Sequence, residues 1–426
     1  MSRERIISGI DIGSYKICTI IAQVVDDKIS VIGVSSVPSK GIKKGVVVDI
    51  DEAVEAIAKS LESAERMAGY GVGRALVTVD GSHISSMNSK GVVAVTHPNG
   101  EITSDDVARA TEVAQAVSIP SNQEIVHVLP RDYIVDSQDG VKDPIGMSGI
   151  KLEVETNIIY GAEAVMKNLT RCVQQVGVDV GDLVFSGIAS SESVLNDTER
   201  ELGTIVADIG GGTTAVTVFL NGSPSWSSVI PIGGQNITND LAIGLRTSLE
   251  NAERIKVRFS QDSLIKTSLP NGDAGDSEEN LRDNSKDFLD ISDLGIEAAR
   301  IEKKLINEIV RARLSEIFSL IALEVKKSGM SGRLPGGIVI TGGAAETAGL
   351  IDVAKMILKT PVRVGRPTGV TGLIEEVRGP AYASSIGLIL YGSKTQIQKG
   401  GFSFSPKGKI GDILRRAGVI AKSFLP

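Results

Sequence analysis

Residues 208–214 read DIGGGTT, at the point where one apolar run, 204–209, gives way to another, 215–220. Two apolar runs joined by glycines predict a β-hairpin. Gly210, Gly211 and Gly212 let backbone N–H groups approach an anion with no Cβ in the way. The hydroxyls of Thr213 and Thr214 add donors to the same loop. Asp208, ending the first strand, is placed to hold a hydrated Mg2+, an ion that takes few protein carboxylates and keeps several waters. Read alone, the stretch also fits an ordinary glycine-rich hairpin turn.

Two further turns change that reading. Residues 11–14 (DIGS) repeat the order of strand, Asp, Gly and hydroxyl, with Asp11, Gly13 and Ser14 in the matching places. Residues 341–345 (TGGAA) follow the short apolar run 337–340 and open a predicted helix. Two hairpins facing each other hold phosphates from opposite sides, and a third turn can press on the nucleoside. One glycine turn is weak support for nucleotide binding; three are strong.

The rest of the 426-residue chain fits an α/β protein of two or three domains. Aromatic residues make up only 4% and glycines number 47, a profile of Val/Ile strands and tight turns. The net charge of -7 argues against nucleic acid as a partner. Two cysteines, Cys18 and Cys172, offer no disulfide framework, which points to a reducing compartment. The polar residues 1–5 are no signal peptide, and no run approaches the roughly 18 apolar residues of a spanning helix. The histidines His83, His97 and His127 are scattered and show no metal spacing.

Apolar runs at 6–12 and 16–25, a third strand at 28–35, a helical stripe over 51–67 and a strand at 75–79 describe one α/β unit. A compact insert follows. Its predicted elements are a short strand at 92–95, a helix at 104–116, a strand at 125–129 stopping at Pro130, and a strand at 151–159. Residues 268–293 hold eight acidic and two basic side chains and predict a surface loop. Residues 297–325 read as one long helix, and 400–406 (GGFSFSP) as a linker.

The three turns together resemble the actin, sugar-kinase and heat-shock chaperone superfamily. That resemblance implies an α/β, actin-like (ribonuclease H-like) two-domain fold with ATP and Mg2+ in the inter-domain cleft. It also implies two helices crossing between the halves, matched by 185–195 (FSGIASSESVL) and 378–391 (RGPAYASSIGLILY). Within the superfamily the chain is most similar to the FtsA family of bacterial cell-division proteins. Residues 81–91 (GSHISSMNSKG) and 143–154 (DPIGMSGIKLEV) resemble signatures of its inserted subdomain. Residues 251–256 (NAERIK) resemble an adenosine-pocket segment, which implies contacts from Glu253 and Lys256.

The implied nucleotide contacts are Asp11, Gly13, Ser14, Lys16, Gly210, Gly211, Gly212, Thr213, Thr214, Gly233, Gly234, Glu253, Lys256, Gly342, Gly343 and Ala344, with Asp11 and Asp208 toward the metal. The implied first domain covers 1–83 and 163–200, interrupted by the inserted subdomain at 84–162. The second covers 201–245 and 326–395, with a smaller subdomain at 246–325, then a linker at 396–406 and a tail at 407–426. One departure stands out. Ser186-Gly187 replaces the Glu-Pro pair usual in related actin-like filaments, whose carboxylate helps orient the attacking water. A serine cannot serve as that base, so hydrolysis is expected to be slow or absent while binding is kept.

The tail, KGKIGDILRRAGVIAKSFLP, reads as an amphipathic helix. At about 100° per residue, Ile410, Ile413, Leu414, Ile420, Phe424 and Leu425 share one face, and Arg415, Arg416 and Lys422 take the other. At about 1.5 Å per residue it is too short to span a bilayer upright, so it is expected to lie on an anionic membrane surface. Packing back onto its own domain is the alternative. The resemblance further implies self-assembly into filaments and a site for the acidic C-terminal peptide of FtsZ, the tubulin-like division filament, with Arg300 and Arg313 as contacts. From the residues alone, that stretch is equally a solvated basic helix face. A sugar or acetate kinase and a pilus adaptor resembling PilM are the competing readings, and neither has use for the tail.

Overall fold

The computed structural model describes residues 4–268, 287–294, 299–372 and 375–398. The linker segment 400–406, the tail with all its expected membrane contacts, and most of the acidic stretch lie outside the described residues.

Two sheets built on one plan form the two halves. In the first, Arg5–Ile12, Lys16–Val25 and Lys28–Pro38 make an antiparallel meander, and Arg74–Val79 and Asp179–Phe185 extend it in parallel. Their near-continuous apolar runs are those of strands buried on both faces. Ile10, Ile17 and Ile21 face the helix Ile50–Ala68 through Ile57 and Leu61. Ile7, Cys18 and Ile20, in the alternate register, face Ile386 and Ile389. Asp49 caps that first helix by accepting from the Glu52 N–H at 3.0 Å, and Gly69, at φ 64°, ends it.

The second sheet repeats the meander with Thr204–Ile209, Thr214–Leu220 and Ser223–Ile230, and adds Ile338–Thr341 and Val362–Val364 in parallel. Helices Gly234–Leu245, Leu249–Ser268 and Lys303–Lys327 cover it. Between the halves run the helices Ser186–Val194 and Ala383–Gln398, the two expected to cross there. Their small residues let the backbones approach, and Ser193 Oγ donates to the Ala383 carbonyl at 2.8 Å.

The insert is a four-stranded sheet in the order Ser85–Ala94, Lys151–Ala162, Gln123–Val135, Gln138–Val141, backed by helix Ser104–Gln115. Its strands outrun the sequence expectation. The run ending at Pro130 in fact continues to Val135, because Pro130 and Asp132 oppose Thr156 and Glu155 while Arg131 bulges out. A bulge is where a strand tolerates a proline with no N–H to donate. The expected strand 92–95 likewise begins at Ser85, where polar Ser86 and Asn88 pair with the other half instead of packing on apolar neighbours. Ser86 Oγ donates to the Ser227 carbonyl at 2.8 Å, and Asn88 Nδ2 to Ser225 at 3.2 Å.

His127 fastens the insert to the crossing helices. Its buried Nε2 accepts from the Phe185 N–H at 3.0 Å, just before the first crossing helix, and Tyr391 of the second lies 3.4 Å from Nδ1. Burial lowers its pKa from 6.5 to about 4. The unfolded chain therefore takes up this proton first. The stability His127 contributes is full above pH 6.5 and is lost as pH falls toward 4. From pH 7 to pH 5 the native chain is expected to lose about 2 kcal/mol more than His127→Gln, read by urea denaturation at each pH.

Candidate functional site

The ends of strands from both sheets meet in one cleft of about 730 Å3. Its lining includes Asp11, Gly13, Ser14 and Lys16 from the first half. The second half contributes Asp208, Gly210, Gly211, Thr213, Gly234, Glu253, Lys256, Gly342, Gly343 and Ala344. The two phosphate-type loops oppose each other at close range: a Cβ on Gly212 would sit 3.0 Å from Ser14, and one on Gly211 2.6 Å from Tyr15 Cβ. Ser14 Oγ accepts from the Gly45 N–H at 2.9 Å, which pins the first loop.

The remaining expected contacts take other places. Thr214 is fully buried and its hydroxyl donates to the Ile232 carbonyl at 2.8 Å, because the strand's alternation turns it away from the cleft wall that Thr213 lines. Gly212 and Gly233 are absent from the lining. Gly233 stands at the start of the helix Gly234–Leu245, which braces the second loop from below: Gly234 and Gln235 N–H donate to Gly210 and Gly211 carbonyls at 2.9 and 2.8 Å. The TGGAA turn opens only a short 3-10 turn, Gly343–Glu346, before helix Leu350–Leu358.

Asp11 and Asp208 are held by adjacent serines of the second crossing helix. Ser385 Oγ donates to Asp11 and Ser384 Oγ to Asp208, both at 2.7 Å, and Thr78 adds a bond of 3.0 Å to Asp11. Burial, with the Asp11 charge adding to it, pushes the Asp208 carboxyl up to about 7. A buried carboxyl raised in part by the charge of a second one beside it suits a cation shared by the two. No group of three metal-ligating side chains occurs among the described residues, and Mg2+, which retains its waters, does not need one. The Lys16 amine lies 3.2 Å from the Tyr382 ring centroid, and burial lowers its pKa.

Glu253 and Lys256, one helical turn apart, form an ion pair of 2.7 Å in the cleft wall. Thr238 bonds to both. Sequence reasoning passed over Asp80, Thr78, Ser384 and Ser385. Asp80 carried a signal all the same, since it ends an apolar strand and precedes a glycine, as Asp11 and Asp208 nearly do. Glu192, further along the first crossing helix, does not line the cleft; it pairs with Arg200 and Lys394.

The expected partner contacts separate. Arg300 belongs to a short strand, Arg300–Glu302, and not to the helix, which starts at Lys303. Pairing with Phe288–Asp290 holds those residues extended. Arg313 is on the helix and engages Asp240 through two bonds of 2.6 and 2.8 Å, with Glu316 as a second partner.

Duplicated sheets, paired loops and a cleft between them define an actin-like fold. Solved structures agree. The PilM-PilN type IV pilus biogenesis complex aligns with TM-score 0.62 at 14% identity, covering 91% of this chain and 98% of that one. MreB5 of Spiroplasma citri, solved bound to ADP, aligns with TM-score 0.51 at 13% identity, covering 93% and 99%. At those identities they show the fold alone. Family models match the SHS2 domain inserted in FtsA at residues 81–160 and cell division protein FtsA at 205–387. Cell division protein FtsA of Pseudomonas aeruginosa is 37% identical over 406 residues, 95% of this chain and 93% of that protein. That of Bacillus subtilis is 37% identical over 392 residues, covering 92% and 84%. The chain belongs to the FtsA family of cell-division proteins.

Proposed function

We propose that this chain binds ATP with Mg2+ in the cleft, polymerises into actin-like filaments, and tethers FtsZ filaments to the inner face of the cytoplasmic membrane at the division site. The observation that carries the nucleotide part is the meeting of both glycine loops, the TGGAA turn and the Asp11/Asp208 pair in one cavity. Asp11 and Asp208 would hold Mg2+, which would neutralise charge on the phosphates. The loop N–H groups would cradle the phosphates, and the Glu253–Lys256 side would receive the nucleoside. Hydrolysis is at most slow, since Ser186 offers no carboxylate base from the crossing helix.

Membrane attachment is assigned to the tail 407–426 and its alternating apolar and basic faces. No helix among the described residues is long and apolar enough to cross a membrane. The FtsZ C-terminal peptide is assigned to the basic side of the subdomain carrying Arg300 and Arg313, where an incoming carboxylate would compete with Asp240 for Arg313. Other division proteins are further partners, and nucleic acid is not one.

Flotation with anionic vesicles tests the attachment. Full-length protein is expected to float with the vesicles, more strongly with ATP, because a polymer presents many weak tails at once. A chain ending at residue 406 is expected to stay at the bottom in both conditions. Equal flotation of the two would remove the tether.

A further inference from the structure

We infer that Asp80 is the side chain that orients the attacking water in this cleft, an inference that rests on the ATP reading above. Asp80 follows the strand Arg74–Val79, which lies parallel to and beside the strand carrying Asp11. Parallel neighbours end on the same side of a sheet, so both carboxylates arrive at the cleft floor, where Asp208 comes from the other half. The Asp80 carboxylate is fixed in direction. Oδ1 accepts from the Gly81 N–H at 2.8 Å, and Oδ2 from Thr213 Oγ1 at 2.6 Å. The second bond joins the halves, since Thr213 belongs to the second phosphate-type loop.

With phosphate in the loop, the Asp80 carboxylate would face like charge, which a cation or a proton-bearing molecule between them relieves. The cation has its own pair, Asp11 and Asp208, each clamped by a serine of the crossing helix. What remains for Asp80 is a water. The other acid lining the cleft, Glu253, is occupied by Lys256 and Thr238. Ser186, which lines the cleft too, carries no charge. Asp80 thus supplies from a strand end the carboxylate that the crossing helix lacks.

In the reaction the water oxygen bonds to the γ-phosphorus while the bond from that phosphorus to the bridging oxygen breaks. The electron pair leaves with ADP. The water's proton passes to Asp80 and then to solvent as phosphate departs.

Asp80→Asn in the full chain tests this, because the amide oxygen can keep one of the two accepted bonds, from Thr213 or from Gly81, but cannot take a proton. Single-turnover ATP hydrolysis is expected to slow about 100-fold, with ATP and Mg2+ affinities within about threefold of native. Asp80→Glu is expected to restore part of the rate. Thr213→Val, which removes the bond between the halves together with one loop hydroxyl, is expected to slow it less than Asp80→Asn. Hydrolysis at the native rate in Asp80→Asn overturns the assignment. A fall in ATP or Mg2+ affinity that accounts for the lost rate overturns it too, placing Asp80 with the metal or the loop. So does a native chain that binds ATP and releases no phosphate. A native chain that binds no ATP fails in the binding arm alone and removes the nucleotide reading itself.

Discussion

Alanine at Gly387 is expected to cost about 3 kcal/mol or more of stability, since a Cβ there makes the closest overlap of any glycine among the described residues. A Cβ there would stand 1.7 Å from the Ala189 carbonyl oxygen and 2.4 Å from its carbon. Both atoms are backbone of the other crossing helix, so no side-chain rotation relieves the overlap. The helices must part, and with them the bond from Ser193 to Ala383. Because Ser384 and Ser385 ride on the same helix, Asp208 and Asp11 would shift as well. Urea denaturation of Gly387→Ala beside Gly73→Ala checks this. At Gly73 nothing lies within 4 Å of the added carbon, and a change within about 0.5 kcal/mol is expected. A native-like midpoint for Gly387→Ala would mean the crossing helices separate at little cost, and the packing argument would fail.

The second large effect concerns the site. Gly342 and Gly343 are neighbours in one turn and are expected to answer alanine to different extents. Gly342 has φ 87°, and a Cβ on it would meet Asp208 Oδ1 at 2.4 Å and the Ile209 carbonyl at 2.5 Å. Backbone strain of about 1–3 kcal/mol adds to displacement of Asp208. ATP affinity in the presence of Mg2+ should fall roughly 100-fold, or about 2.7 kcal/mol. At Gly343 the nearest protein atom to an added Cβ is Ala381 Cβ at 3.9 Å, an ordinary contact that leaves Asp208 in place, so a smaller loss of affinity than at Gly342 is expected. Isothermal titration of both variants decides it. Equal affinities would show that the turn does not govern the Asp208 position, and the site as drawn would need rebuilding.

The cleft was legible because its loops announce themselves locally. Glycine clusters after apolar runs mark backbone that must approach something, and DIGS, DIGGGTT and TGGAA each did so without reference to the rest of the chain. The insert was legible in place but not in extent. Pro130 reads as a strand end until its partner strand is known, since only pairing reveals the bulge at Arg131. Arg313 reads as a free basic side chain until Asp240, 73 residues away, is found against it. Asp80 had the right local setting, yet nothing in its own neighbourhood says that Thr213 will be 2.6 Å away.

By itself the sequence determined the strands, the glycine turns between them, the helical stripes and the carboxylates near the ends of the strands Arg5–Ile12 and Thr204–Ile209. Those depend on spacing along the chain, where a period of two or of 3.6 and a missing Cβ act within a few residues. Only the tertiary structure decided which carboxylates are clamped by serines, which basic side chains are already paired, and which hydroxyl turns from the cleft into the core. Such choices depend on groups distant in sequence that compete for the same hydrogen bonds once water is excluded, and burial changes both their pKa values and the cost of leaving them unpaired.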